Sequence, residues 1–316
     1  MRRFLSLLLI LSLAAALFTG CGGASPSSNT NDGKLQVAVT VFPAYDWLWE
    51  IAGDHVDLTL LADGGVDLHS YQPSVDDMVK ISSCDLAVYV GGESDAWVAE
   101  ALQTAPDPGP QAISLMEALG DAVKEEALVE GMESEDEEDG DEPEYDEHVW
   151  LSLKNAETLC KILAQRLGEL DPDNRDAYAA NASAYLKKLQ ALDDRYADAA
   201  SKGSRNTLLF GDRFPFRYMT DDYGLTYYAA FSGCSAETEA SFETIVFLAG
   251  KVDELGLPVI LRIETSDGSI AKTVSENTNT KDQKILTLNS MQAATSADSY
   301  LSIMEDNLEV LKQALS

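Results

Sequence analysis

The sequence predicts an α/β protein with two lobes, each a mostly parallel sheet flanked by helices, joined by a long rigid connecting helix. Short apolar runs alternate with helical stretches in residues 35–116, and the same alternation returns in residues 207–315. Alternation of this kind builds parallel sheets that are covered by helices. Between the two halves, residues 175–201 have helical composition and would span roughly 40 Å at about 1.5 Å per residue.

The size and charge of the chain limit what it can do. Roughly 280 of the 316 residues follow the N-terminal segment, which is enough for two domains that each have a core. The formal net charge is -32 at pH 7. A chain this acidic should avoid nucleic acid and anionic lipid surfaces and attract cations. We therefore expect no nucleic-acid partner, and we expect a monomer.

The N-terminus has the features of a secretory leader. Two arginines precede residues 4–18, an uninterrupted run of apolar and small residues that is too short for a comfortable membrane span. Residues 17–21 resemble a bacterial lipobox, which ends in the cysteine that becomes lipidated. We expect residues 1–20 to be a signal peptide and Cys21 to carry the lipid, giving a protein anchored to the cell membrane on its outer side. The alternative is a secreted protein with a free Cys21.

The first lobe is predicted to cover residues 34–170, after a flexible tether at residues 21–33 that is rich in Gly, Ser and Asn. Apolar runs predict strands at residues 35–41, 56–61, 85–90 and 113–116. Helical patterns between them predict helices near residues 44–52, 74–81 and 95–103. This order is a repeated strand and helix unit.

An acidic segment interrupts this pattern in residues 117–147. Eleven of the fifteen residues from Glu133 to Glu147 are Asp or Glu, so these fifteen residues cannot bury a core and are predicted to form a disordered or mobile loop. A helix is then predicted at residues 153–170, followed by the connecting helix within residues 171–203.

The second lobe, residues 204–316, repeats the plan of the first. Strands are predicted at residues 207–210, 225–231, 259–263 and 285–288, and helices at residues 214–223, 241–254, 269–276 and 299–315. Ligands of parallel sheets bind at the carboxyl ends of the strands. A ligand site is therefore expected in a cleft between the two lobes.

Two of the three histidines lie at positions that suit a metal ligand. His69 follows the second predicted strand, and His148 follows the acidic segment. Imidazole is the commonest protein ligand for divalent transition metals. The third histidine, His55, lacks such a context and is expected at the surface.

The segments around these histidines resemble a known family. Residues 65–74 and 85–92 are similar to the first metal-ligand region of the zinc and manganese substrate-binding lipoproteins of bacterial ABC transporters, and residues 147–156 are similar to the second. The similarity covers essentially all of the mature protein, including the long helix that restricts hinge motion in that family. It implies capture of a metal outside the cytoplasm and delivery to a membrane permease, without enzyme activity.

The resemblance also implies a ligand set of His69, His148 and Glu264. The family has a further His or Glu after the first strand of the second lobe, a position that falls on Gly211 here. Water, Asp212 or Glu239 could take that place. Glu264 could instead pair with Arg262 or Lys272.

Two imidazoles and one carboxylate favour zinc over manganese as the bound ion, because manganese prefers more oxygen ligands. Binding should weaken below about pH 6, where free imidazole becomes protonated. A surface adhesin and, with less support, a metal-dependent hydrolase remain alternative functions.

Three cysteines lie beyond Cys21. Cys84, Cys160 and Cys234 match no zinc-ribbon spacing. Whether two of them form a disulfide stays open at this point.

Overall fold

Two four-stranded parallel sheets organise the part of the chain that the computed structural model describes, which is residues 33–133, 144–235 and 239–316. The predicted signal peptide, Cys21 and nearly all of the tether lie outside the described residues, as does the centre of the acidic segment. Residues Leu35–Ser316 form one compact unit. Among the described residues, no helix combines the length and the apolar character needed to cross a membrane.

The first sheet has the strand order β2-β1-β3-β4, and all of its strands are parallel. Its strands are β1 (Leu35–Val39), β2 (Val56–Leu60), β3 (Leu86–Tyr89) and β4 (Gln111–Ser114). The central strands β1 and β3 are buried on both faces, which explains their continuous apolar sequences. The four predicted strands of this lobe are therefore confirmed.

Helices connect the strands of the first sheet. They are α1 (Phe42–Ala52), α2 (Val75–Ser83), α3 (Trp97–Gln103) and α4 (Leu115–Leu119). Helix α2 begins at a capping box, in which the Ser74 hydroxyl accepts from the Asp77 backbone N–H and the Asp77 carboxylate accepts from the Ser74 backbone N–H. Reciprocal capping fixes where α2 begins and thus the length of the loop that precedes it.

The two ends of the acidic segment are ordered by contacts with neighbouring structure. The Glu133 backbone N–H donates to the Ala230 carbonyl, and Glu133 forms a parallel bridge with Phe231. Glu125 pairs with Tyr145 in an antiparallel bridge. Within residues 133–147, Glu133 and Tyr145 are therefore paired with neighbouring backbone, while residues 134–143, the centre of the predicted loop, lie outside the described residues.

Two long helices follow, α5 (Leu153–Leu170) and α6 (Arg175–Lys202). Helix α6 has 28 residues, a length of roughly 42 Å, and corresponds to the predicted connecting helix. It packs against α5, against α1 and against the last helix of the chain. The Tyr196 hydroxyl donates to the Met304 carbonyl at 2.6 Å, which ties α6 to that last helix.

The second sheet has the strand order β6-β5-β7-β8 and is also parallel. Its strands are β5 (Thr207–Phe214), β6 (Thr226–Ser232), β7 (Val259–Arg262) and β8 (Lys284–Thr287), and its helices are α7 (Arg217–Tyr223), α8 (Phe242–Leu255), α9 (Ser269–Asn277) and α10 (Tyr300–Ala314). Strand β5 continues four residues past its predicted end, with a shift of register between Phe210 and Arg213. The predicted α/β fold with two parallel sheets is confirmed.

One hydrophobic cluster continues from the first sheet to the second. Trp47, Trp150 and Tyr300 are fully buried in it. The Trp47 and Tyr300 rings meet edge to face at 5.2 Å, and the Tyr300 hydroxyl donates to the Trp150 carbonyl. This shared core fixes the position of the segment that carries His148, two residues before Trp150.

Candidate metal centre

The side chains of His69 and His148 meet, although 79 positions separate them in the sequence. Their Nε2 atoms lie 3.1 Å apart. His69 lies in a short 3₁₀ turn, Leu68–Ser70, and its backbone N–H donates to the Asp67 carboxylate at 3.0 Å. His148 precedes the 3₁₀ turn Val149–Leu151 and is fully buried. The Nε2 atoms of both predicted histidines therefore face the same point.

The opposite nitrogen of each ring has its own partner. Nδ1 of His148 lies 3.0 Å from Asp146 Oδ1, which also accepts from the His148 backbone N–H. A carboxylate can only accept, so Nδ1 of His148 carries a proton towards Asp146, and Nε2 is the nitrogen that faces His69. Nδ1 of His69 lies 2.8 Å from the Ser94 hydroxyl. Glu147 holds Ser94 in place by accepting from its backbone N–H at 3.0 Å.

Burial keeps His69 neutral. Loss of water around the ring, followed by the neighbouring His148, lowers the pKa of His69 well below that of free imidazole. Protonation of the His69 ring should therefore interfere with metal binding only at a pH below the value of about 6 that the sequence predicts. Neutral imidazole is the form that binds a metal.

Gln292 lies beside both imidazoles and was not predicted from the sequence. Its side-chain nitrogen is 2.5 Å from His148 Nε2 and 3.4 Å from His69 Nε2. The side chain is buried, and its oxygen has no hydrogen-bond partner among the described residues. The two ends of a carboxamide are assigned from their partners, so a half-turn of this group brings the unpartnered oxygen to the imidazoles. An amide gives little sequence signal for ligation, which is why Gln292 was missed.

Glu264 does not lie among the imidazoles. Its carboxylate accepts from the Ser290 backbone N–H at 2.7 Å, from the Ser290 hydroxyl and from the Gln292 backbone N–H at 3.1 Å. It pairs with neither of the two basic residues considered above. In this geometry Glu264 holds the loop after β8, and this loop places the Gln292 side chain beside the imidazoles. Direct ligation by Glu264 stays a prediction.

The position proposed for the missing ligand does not face the site. A Cβ atom on Gly211 would lie 2.4 Å from the backbone of Ala271 in α9, so no larger side chain fits there. The register shift in β5 instead turns Arg213 towards the first lobe, where its guanidinium lies 2.5 Å from the Asp67 carboxylate. Gly211 therefore packs against α9, and Arg213 is the residue of β5 that contacts Asp67, two positions before His69.

The two proposed substitutes lie elsewhere. Asp212 accepts from the Ile263 backbone N–H at 3.2 Å and from the Arg213 backbone N–H, and Glu239 is exposed. Neither belongs to the group of possible metal ligands that the structure brings together within the described residues.

That group consists of His69, His148 and Cys234, whose ligand atoms all lie within 4.8 Å of one another. The Cys234 thiol is not in a disulfide, and the same holds for Cys84 and Cys160. Burial, followed by the charge of Glu126, raises the pKa of the Cys234 thiol. The thiol is therefore protonated at neutral pH in the metal-free protein.

A comparison with known protein families supports the resemblance seen in the sequence. The sequence model of the family described as zinc-uptake complex component A, periplasmic, matches residues 37–314. The chain belongs to this family. The family comprises metal-binding components of transporters rather than enzymes.

Members of the zinc-uptake component A family align with nearly the whole chain. The zinc-binding lipoprotein AdcA of Streptococcus pneumoniae is 31% identical over 313 residues, which are 97% of this chain and 60% of AdcA. The chain thus spans about 60% of the length of that relative. The high-affinity zinc uptake system protein ZnuA of Bacillus subtilis is 28% identical over 98% of this chain and 97% of its own length.

Solved structures of zinc-uptake component A relatives share the fold. The Zn(II)-bound ZnuA-like domain of Streptococcus pneumoniae AdcA superposes with a TM-score of 0.71 at 30% identity, covering 90% of this chain and 99% of the domain. The metal-dependent lipoprotein YcdH of Bacillus subtilis gives a TM-score of 0.73 at 27% identity, covering 90% of this chain and all of YcdH. The two-lobe arrangement is therefore common to this chain and to those relatives.

The spacing of the two imidazole nitrogens in this chain fits a bound transition metal. Two nitrogen ligands of tetrahedral zinc at about 2.0–2.1 Å lie roughly 3.3 Å from each other, close to the 3.1 Å between the two Nε2 atoms. The outer partners Asp146 and Ser94 hold the rings in this arrangement. The site is therefore set up to bind an ion.

Proposed function

We propose that this protein binds a divalent transition metal, zinc in preference to manganese, outside the cytoplasm and delivers it to the permease of an ABC transporter. The observation that carries the proposal is the pair of imidazoles, His69 and His148, whose Nε2 atoms lie 3.1 Å apart. The printed names of the relatives, a zinc-binding lipoprotein and a zinc uptake protein, agree with zinc as the ion.

The proposed binding step uses residues of both lobes. His69 and His148 donate nitrogen electron pairs, while the loop after β8, held by Glu264, brings oxygen to the opposite side. The ion pair between Asp67 and Arg213 joins the two lobes beside the ion. The permease would then recognise the loaded monomer, which a lipid on Cys21 keeps at the membrane.

A metal titration of the full-length protein in detergent tests this function. After removal of metal by a chelator, zinc should bind at one ion per chain and more tightly than manganese. His69→Ala and His148→Ala should each weaken zinc binding strongly, because each removes one ligand nitrogen. The matched control is His55→Ala, since His55 is exposed and lies outside the site. Equal zinc affinity in the double variant H69A/H148A and the wild type would refute the proposal.

The same titration separates two roles of Glu264. If Glu264 is a ligand, Glu264→Gln should weaken zinc binding as strongly as the loss of an imidazole. If it only holds the loop through Ser290 and Gln292, the loss should stay near the roughly 10–100-fold typical of an outer partner.

A second candidate function is adhesion to a host surface. One structural relative, the laminin-binding protein Lmb of Streptococcus agalactiae, is described as bifunctional, with adhesin and metal-transporting activity, and is 25% identical with a TM-score of 0.73. Binding of the purified full-length protein to immobilised laminin, measured with and without zinc, tests this candidate. Absence of saturable binding in both conditions would exclude laminin as a partner.

A further inference from the structure

The donors around the two histidines lack a negative charge. His69 and His148 offer imidazole nitrogens, and the Gln292 side chain is an uncharged amide. The Glu264 carboxylate is engaged by three donors from Ser290 and Gln292. The nearest charged side chain from β5 is the cation Arg213. A divalent ion removed from water is stabilised best by an anion in direct contact with it. None of the three side chains that face the site supplies one, because the Asp146 carboxylate acts from the far side of the His148 ring.

We propose that Cys234 supplies this anion as a thiolate and is the third protein ligand of the ion. The inference rests on the metal capture proposed above and adds a ligand of a different chemical class. It is carried by the placement of the Cys234 sulfur, within 4.8 Å of the ligand nitrogens of both histidines. Among the described residues that could offer a nitrogen, sulfur or carboxylate ligand, this set of three is the one that converges.

The backbone around Cys234 is built to hold the sulfur there. A Cβ atom on Gly233 would lie 2.9 Å from the Phe214 carbonyl and 3.2 Å from Cε1 of His148, so only glycine lets the chain pass this close to the imidazole. The Cys234 backbone N–H donates to Glu126 at 3.0 Å. On the other side, the Arg213 guanidinium donates to the Ser235 carbonyl at 3.2 Å.

The chemistry of binding is a simple exchange of a proton for an ion. The S–H bond of Cys234 breaks, the proton goes to solvent, and the sulfur donates the electron pair to the ion. Nothing is oxidised or reduced. With the oxygen of Gln292 turned towards the ion, the set becomes two imidazole nitrogens, one thiolate and one amide oxygen, which are four donors as tetrahedral zinc requires.

A thiolate ligand also determines which metal the site prefers. Thiolates favour zinc and other soft or borderline ions, whereas manganese favours carboxylate, carbonyl and water oxygens. The inferred ligand set therefore selects zinc against manganese more strongly than the set of two imidazoles and one carboxylate predicted from the sequence.

Cobalt(II) is the probe that tests the thiolate directly. It replaces zinc in tetrahedral sites, and a cobalt–sulfur bond gives a charge-transfer band in the near ultraviolet. The full-length metal-free protein in detergent is titrated with cobalt and then with zinc, for the wild type, Cys234→Ser and Cys84→Ser. Cys84 is the matched control, since it is also a partly exposed free thiol and its Sγ donates to the Ile81 carbonyl.

We expect the sulfur band in the wild type and in Cys84→Ser, and its loss in Cys234→Ser with visible cobalt absorption retained. Zinc affinity in Cys234→Ser should fall by more than the roughly 100-fold upper range for an outer partner. Cys234→Asp should restore an anion and narrow the preference for zinc over manganese. In the wild type, zinc should protect Cys234 from alkylation while Cys84 still reacts, which tests the inference without any variant.

Two results would overturn this inference while leaving metal capture intact. One is a wild-type cobalt spectrum that shows bound metal without a sulfur band, and the other is a sulfur band that persists in Cys234→Ser. If the wild type binds neither cobalt nor zinc, both the inference and the proposed function are wrong.

Discussion

Replacement of Asp146 by Asn tests how much the partner of a ligand contributes to the affinity for zinc. The substitution removes a charge but keeps an oxygen that can accept from His148 Nδ1, now 3.0 Å from Asp146 Oδ1. An ion on the far side of the ring would lie about 7 Å from this carboxylate, given Zn–N bonds of about 2 Å. At this distance, Coulomb's law gives about 1 kcal/mol in water and about 5 kcal/mol at an effective dielectric constant near 20.

We therefore expect Asp146→Asn to weaken zinc binding by about 10–100-fold, equivalent to about 1.4–2.7 kcal/mol. This energy lies within the range from Coulomb's law and matches the loss of affinity seen when a hydrogen-bond partner of a zinc ligand is removed in other proteins. The assay is competition for zinc with a chromophoric chelator, using metal-free full-length protein. Asp222→Asn is the matched control, because Asp222 accepts from Ser152 and contacts neither imidazole. Equal affinity in Asp146→Asn and the wild type, with His148→Ala impaired, would refute the assigned role of the carboxylate.

Three further predictions concern the site and the core. Gln292→Glu adds an anion beside the imidazoles and should raise the affinity for manganese more than that for zinc, measured by competition titration of both metals; an unchanged ratio would argue against Gln292 as a ligand. Asp67→Ala breaks the partly buried ion pair with Arg213 and should speed the release of zinc at least about tenfold, measured by stopped-flow transfer to a chelator; an unchanged rate would show that the pair does not control release. Burial raises the pKa of Asp46 from 3.8 to about 6, so between these pH values the folded protein binds more protons than the unfolded chain, and stability falls as pH rises through this window. Asp46→Asn should therefore stabilise the metal-free protein by up to about 3 kcal/mol above pH 6 and bring no gain below pH 4, measured by urea unfolding; the same gain at both pH values would contradict the shift.

The sequence predicts the fold well because its signals are local. The run of apolar residues in β1 identifies a buried strand, and the helix Leu153–Leu170 has the bounds that were predicted. The prediction fails for β5, where Gly211 and Asp212 interrupt the apolar run although the strand continues to Phe214. Pairing with β6 on both sides of the register shift holds these residues in the strand, and pairing of this kind cannot be seen in a single segment.

The residues of the site also fall into two groups, those with a sequence signal of their own and those without one. His69 and His148 were found because imidazoles in distinctive motifs carry a signal of their own. The position of Glu264 depends on backbone N–H groups of Ser290 and Gln292, which no side-chain pattern reveals. Cys234 had no recognisable spacing, because its partners come from two distant parts of the chain.

The core shared by both lobes has a consequence for how cargo leaves the protein. Helix α6 packs against α1 of the first lobe and α10 of the second, so pulling the lobes apart would expose much apolar surface at once. Short polar contacts between loops, such as that of the Ser296 hydroxyl with Asp63, are far easier to break. Under the proposed function, release of the ion would require displacement of a few loops rather than separation of the two lobes, so unloading would be a local event in an otherwise rigid protein.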